Sequence, residues 1–170
     1  MSDVAGTALI TLLAGVVFTA EAHGQRPNQE DQHLALSGLT AVKARVMVQW
    51  DMGVTMRGGT TLSDFERTVR SAFERGLGST GVSLDETAPA HVDCVVSLTY
   101  VENAKETVIL SRTVRLLRPD NPEEPIGRWT VGWSRGETRV TGRDALSGSE
   151  VGRDCAAAFG RDWRRANPES

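Results

Sequence analysis

Val42, Ala44, Val46, Val48 and Trp50 are separated one by one by Lys43, Arg45, Met47 and Gln49. Only an extended chain sends successive side chains to opposite faces, so this period of two demands a half-buried strand over about Thr40–Asp51. The period then changes. Leu62, Phe65, Val69, Ala72, Phe73 and Leu77 recur at intervals of three and four, which lays one apolar stripe along a helix. Ser63 and Glu66 have the spacing of a capping box at its start, and Gly78 or Gly81 ends it.

The alternation returns three more times. A second strand is expected at Val92–Glu102, with Val92, Cys94, Val96, Leu98 and Tyr100 on one face. A third runs over about Thr107–Arg118, and a fourth over Ile126–Ser134, where Trp129, Val131 and Trp133 alternate. Between them "RPDNPEEP" must be a turn, because its three prolines cannot sit in a central strand. Ser147 and Glu150 form a further capping-box pair, and Val151, Cys155, Phe159 and Trp163 share one face of a final helix. The expected class is therefore α+β, in the order β-α-β-β-β-α. It is a four-stranded antiparallel or mixed sheet with two helices on one face, preceded by an N-terminal apolar helix. One domain spans residues 36–166 and a tail spans 167–170. There is no internal repeat.

The segment ahead of this domain decides where it works. Residues 4–20 carry no charge, at the short limit for a bilayer span and slightly long for a signal-peptide core. Ala20-Glu21-Ala22 has the small-x-small spacing that signal peptidase reads. No Lys or Arg precedes the run, so the rule that places positive charge inside gives no help with orientation. Residues 1–22 are expected to be a cleaved signal peptide or a retained membrane anchor. A core helix is disfavoured because the run is apolar all round. No Cys follows, which excludes a lipobox. Residues 23–35, polar and carrying His23 and His33, are expected to be a flexible linker. The domain would then lie in the periplasm or another extracytoplasmic space, held at the inner membrane if residues 4–20 remain.

Charge narrows the function classes. The net charge is -3 and the pI about 5.6, against the basic balance of a general nucleic-acid binder. Motifs that look chemical fail on context. "GWSRG", Gly132–Gly136, has the G-x-S-x-G spacing, but a nucleophile elbow needs a helix after the Ser and a later His. His23, His33 and His91 all lie upstream, so Ser134 is expected in a strand that ends in a turn. "GLGSTG", Gly76–Gly81, has the spacing of a dinucleotide loop but follows a helix, where phosphate would meet the negative end of the dipole. It is expected to be a helix cap. The histidines are not spaced with Cys as metal ligands. No cofactor, metal or catalytic group is expected, and the chain is expected not to be an enzyme.

Cys94 lies on an apolar strand face and Cys155 on an apolar helix face. The even count and the leader-like segment favour a disulfide between them over two buried free thiols. Candidate partner-binding residues are Asp120, Asn121, Glu123 and Glu124 of the proline-rich turn. Arg161, Arg164 and Arg165 at the end of the last helix are further candidates, although complementing the helix dipole also explains them. Over about residues 36–165 the element order resembles small bacterial periplasmic modules of the TolB N-terminal and penicillin-binding-protein-activator (LpoB-like) kind. That resemblance implies protein–protein work at the envelope and transfers no site residue. The expected function is a non-catalytic periplasmic or membrane-tethered accessory protein. It would bind a partner protein, as a subunit of a respiratory, photosynthetic or envelope-synthesis complex for instance. A soluble periplasmic small-ligand or lipid-binding protein is the alternative.

Overall fold

The computed structural model describes residues 28–51, 59–101, 104, 106–120 and 129–168. Its elements, in chain order, are α1 (Gln29–Leu36), β1 (Ala41–Trp50), α2 (Leu62–Gly78), β2 (Ser83–Leu84), β3 (His91–Tyr100), β4 (Thr107–Pro119), β5 (Trp129–Gly142) and α3 (Gly148–Ala166). The class is α+β. The sheet is mixed and five-stranded, ordered β2-β1-β3-β4-β5. β1 runs parallel to β2 and β3, and β3-β4-β5 form an antiparallel meander.

Three details differ from the sequence expectation. The sheet has a fifth strand, β2, whose two residues are too few to show a period. A third helix, α1, occupies the described part of the stretch expected to be a flexible linker. It begins where the Asn28 side chain accepts a hydrogen bond from the Asp31 amide at 2.8 Å. The N-terminal apolar segment, residues 1–22, lies outside the described residues. The third difference is β5. It does not end near Ser134 but continues to Gly142, so "GWSRG" sits inside a strand.

Alternation does what the sequence implied. Val42, Ala44, Val46 and Val48 of β1 are buried with Val92, Cys94, Val96 and Leu98 of β3 and Val108, Leu110, Val114 and Leu116 of β4. The helices cover this one face. α2 contributes Phe65, Val69, Phe73 and Leu77, and α3 contributes Val151, Cys155, Phe159 and Trp163. α2 begins two residues earlier than the capping-box spacing implied. Thr61 is its N-cap, and Asp64 closes the box by accepting from the Thr61 amide. At α3 the expected cap holds, with the Ser147 hydroxyl accepting from the Glu150 amide.

α2 and α3 approach closely because small residues meet between them. A Cβ on Gly152 would lie 2.3 Å from the Val69 carbonyl oxygen, and one on Gly76 would lie 2.4 Å from the Ala156 Cβ. Asn167, expected to open a tail, instead locks the end of α3 to the chain after α1. Its Oδ1 accepts from the Gly38 amide at 2.8 Å, and its Nδ2 donates to the Leu36 carbonyl at 3.0 Å. Trp163 adds a bond from Nε1 to the Leu39 carbonyl at 2.9 Å.

Cys94 and Cys155 form a disulfide, with Cα atoms 6.0 Å apart. The bond joins the central strand of the sheet to α3. Both residues are fully buried.

Candidate functional site

All three helices pack on one face of the sheet, which leaves the other without a helix among the described residues. In-register pairing decides what that open face presents. Arg45 of β1 lies opposite Asp93 of β3, and Asp93 lies opposite Arg115 of β4. One carboxylate therefore stands between two guanidinium groups in a row across three strands. The Arg115 Nε and Nη2 both donate to Asp93 Oδ2 at 3.3 Å, and the Arg45 Nε lies 3.5 Å from Asp93 Oδ1. Asp93 is 0% exposed, whereas the two arginines stay open to solvent. Oδ1 has no hydrogen-bond partner among the described residues, so the sealed carboxylate relies there on the positive charge of Arg45 alone, while Arg115 bonds Oδ2.

The next row along the strands holds His91, Leu117 and Val131. Arg45 Nη1 donates to His91 Nδ1 at 3.1 Å. This bond needs a neutral ring with its proton on Nε2. Trp129 stacks on the same ring, with centroids 4.4 Å apart. Lys43 closes the edge of the patch in an ion pair with Glu86 at 2.9 Å.

His91 is held below the ordinary imidazole value of 6.5, first by burial and then by the positive charge of Arg45, with Lys43 adding to it. Asp93 and Glu86 pull the other way and do not offset this. Between the lowered folded value and 6.5 the unfolded chain binds more protons, so stability rises with pH across that window. Acidification from about pH 7 to about pH 5 is thus expected to destabilise the protein partly through His91. His91→Gln should show a smaller loss of urea midpoint over that interval. Equal losses in both proteins would show that His91 does not couple to folding.

Trp129 and Val131 correct an expectation. Their alternation with Trp133 places all three toward the helices, but the strand carries a bulge. Leu116 pairs with Trp133 and Leu117 with Val131, so Gly132 is an extra residue. The shift reverses the face of everything before it. Trp133 is buried, while Trp129 is 40% and Val131 37% exposed on the open face. Gly132 also makes room for α1, since a Cβ there would lie 2.9 Å from the Ala35 Cβ.

The residues proposed from sequence as partner-binding are scattered. Asp120 is exposed at the end of β4 and accepts a hydrogen bond from the Thr130 hydroxyl. Asn121, Glu123 and Glu124 lie outside the described residues. Arg161 and Arg164 are exposed on α3, and Arg165 reaches Asp162 of the same helix at 3.5 Å. These three sit in the helical layer, away from the Arg45–Asp93–Arg115 row. One sign of that row was present in the sequence. Asp93 interrupts the apolar run "HVDCVV", where Asp is disfavoured in a strand.

A groove of about 900 Å³ lies between α1, β5 and α3. Its buried end is tied up internally. Asp162 accepts from Trp133 Nε1 at 3.0 Å and from Arg135 Nε at 2.9 Å. Among the described residues no three His, Cys, Asp or Glu are grouped to hold a metal ion. No helix among them is long and apolar enough to cross a membrane.

No family model matches the chain, and no curated protein matches it. Solved structures do. The chain is similar to a single-substitution variant of the PelC dodecamer from Paraburkholderia phytofirmans, at 19% identity and a TM-score of 0.41, over 75% of this chain and 92% of that one. It is similar to an uncharacterized protein at 13% identity and a TM-score of 0.38, over 77% and 92% of the two chains. A candidate lipoprotein from Caulobacter crescentus CB15 matches at 14% identity and a TM-score of 0.32, over 82% and 97%. At these scores the likenesses carry no argument about function.

Proposed function

We propose that this chain is an extracytoplasmic, non-catalytic module that binds a partner protein through the helix-free face of its sheet, as an accessory part of a membrane-associated assembly. The observation that carries the reading is the exposure of Trp129 and Val131 beside Arg45 and Arg115 on that face. Trp and Arg are the residue types that interfaces enrich, and a large ring left open to water has an energetic reason to be covered. The ring of His91 supports a binding role over a chemical one. It is pinned at Nδ1 by Arg45 and stacked against Trp129, which fixes it as part of the surface.

The location rests on the Cys94–Cys155 disulfide, since thiols in most cytosols are kept reduced. Residues 4–20 would bring the domain to the membrane, and cleavage after Ala22 would release it. Protease added to intact spheroplasts of the source cells is expected to degrade the domain. Protection that persists until the membrane is lysed would contradict the location.

A further inference from the structure

We propose that the open face recognises an acidic segment of its partner, with one carboxylate held by Arg45 and Arg115 and an apolar residue two positions away resting on Val131 and Trp129. The inference rests on the binding role proposed for this face and adds the chemistry of the occupant.

The row contains two cations and one anion, so it keeps a net positive charge, and the anion is wholly buried beneath it. What meets an incoming group is therefore guanidinium. Arg115 donates from Nε and Nη2 to Asp93, whereas Arg45 donates from Nη1 to His91 and faces Asp93 Oδ1 from Nε only as an ion pair, without a hydrogen bond. Among the described residues the Nη1 of Arg115 and the Nη2 of Arg45 make no such contact, which leaves a whole NH2 group on each side of Asp93 for a second carboxylate. The site is prepared before any ligand arrives, because Asp93 holds Arg115 by two hydrogen bonds and His91 holds Arg45 by one, with the Asp93 charge between them.

Beyond the row, β5 places Val131 and Trp129 on the open face. Val131 pairs with Leu117, two residues along β4 from Arg115, and Trp129 pairs with Pro119, four residues along. At the rise of a strand the Val131 row lies about 7 Å from the arginines, and the Trp129 ring, though its backbone is one row further out, leans back onto His91 in that same row. An extended segment laid along the strands repeats at the same rise. It matches this surface with an acid at one position and an apolar side chain two positions away, over Val131 and the Trp129 ring. The charge of the whole chain is negative, so this patch is a local exception rather than part of a general basic surface.

The test uses the purified protein and immobilised peptides carrying Glu-x-Leu between small neutral residues, with x small and neutral. Their counterparts carry Gln in place of Glu, or the acid at other spacings. The Glu peptide is expected to bind about tenfold tighter than its Gln counterpart, as loss of a charge-assisted contact implies. That preference is expected to disappear in the neutralised variant Arg45→Gln/Asp93→Asn/Arg115→Gln. This variant avoids leaving Asp93 as an unpaired buried charge, and circular dichroism checks its fold. Trp129→Ala, a surface change, should weaken the Glu and Gln peptides alike. Equal binding of both peptides, still lost on Trp129→Ala, would overturn the acidic occupant while the face keeps its binding role. Inorganic phosphate or acetate abolishing binding at concentrations close to that of the peptide would overturn a peptide occupant in favour of a free anion. If no peptide binds, and a photo-crosslinker at Val131 captures only segments without Asp or Glu, the inference is overturned.

Discussion

Replacing Cys94 and Cys155 together by alanine is expected to lower the free energy of unfolding by about 4 kcal/mol. The bond closes a loop of 61 residues, and the entropy it removes from the unfolded chain grows with the logarithm of that length. The closed loop carries β4, β5 and the start of α3, so the reduced chain must find most of its sheet meander and its last helix without a tether. Against a typical stability of about 5–15 kcal/mol, a loss of that size leaves the double variant close to its unfolding threshold. Both cysteines are fully buried, so reductant should act on the native protein only as fast as it opens. Urea unfolding should show the double variant with a lower midpoint, and the wild-type protein unfolded in reductant should move toward it. A midpoint unchanged within error would mean that the bond contributes nothing to stability in solution.

Two tryptophans on the same strand should differ widely. Trp133→Ala is expected to cost about 3–5 kcal/mol. The ring is 1% exposed, packs edge-on against Phe159 with centroids 5.6 Å apart, and donates from Nε1 to Asp162 at 3.0 Å. Truncation leaves a cavity under α3 and removes one partner from a half-buried carboxylate. Arg135 still reaches Asp162, which limits the second effect. Trp129→Ala, by contrast, removes a ring open to solvent that touches His91, and should cost less than about 1 kcal/mol. Urea midpoints at unchanged slope separate the two cases. A Trp129 variant as unstable as the Trp133 variant would mean that β5 has no register shift at Gly132.

That pair also marks where the sequence stops being legible. Strands β1, β3 and β4 follow from their alternation, and Cys94 and Cys155 could be paired because each lay on an apolar face that had to meet the other. The alternation through Trp129, Val131 and Trp133 was equally regular and misleading. A single extra residue at Gly132 changes which face precedes it, and a bulge leaves no trace in a hydrophobic pattern. α1 was hidden for a different reason. Its sequence "QEDQHLAL" has no apolar stripe, and of its eight residues only Leu36 is buried. The Arg45–Asp93–Arg115 row needed register, because residues 48 and 22 positions apart meet only once the strands are aligned. The Asp within "HVDCVV" was the one local sign that the polar face of the sheet held something specific.

The claim that the helix-free face is the working surface can be tested in the cell that makes the protein. A photo-crosslinking amino acid placed at Val131 reports on the open face, and one placed at Ala157, exposed on α3, reports on the opposite layer. On irradiation of intact cells the account predicts a discrete adduct from Val131 with one envelope protein and none from Ala157. It also predicts that the Val131 adduct is lost when Trp129 is changed to Ala. An adduct from Ala157 with Val131 silent would contradict it, and would move the partner surface to the helical layer where Arg161, Arg164 and Arg165 lie.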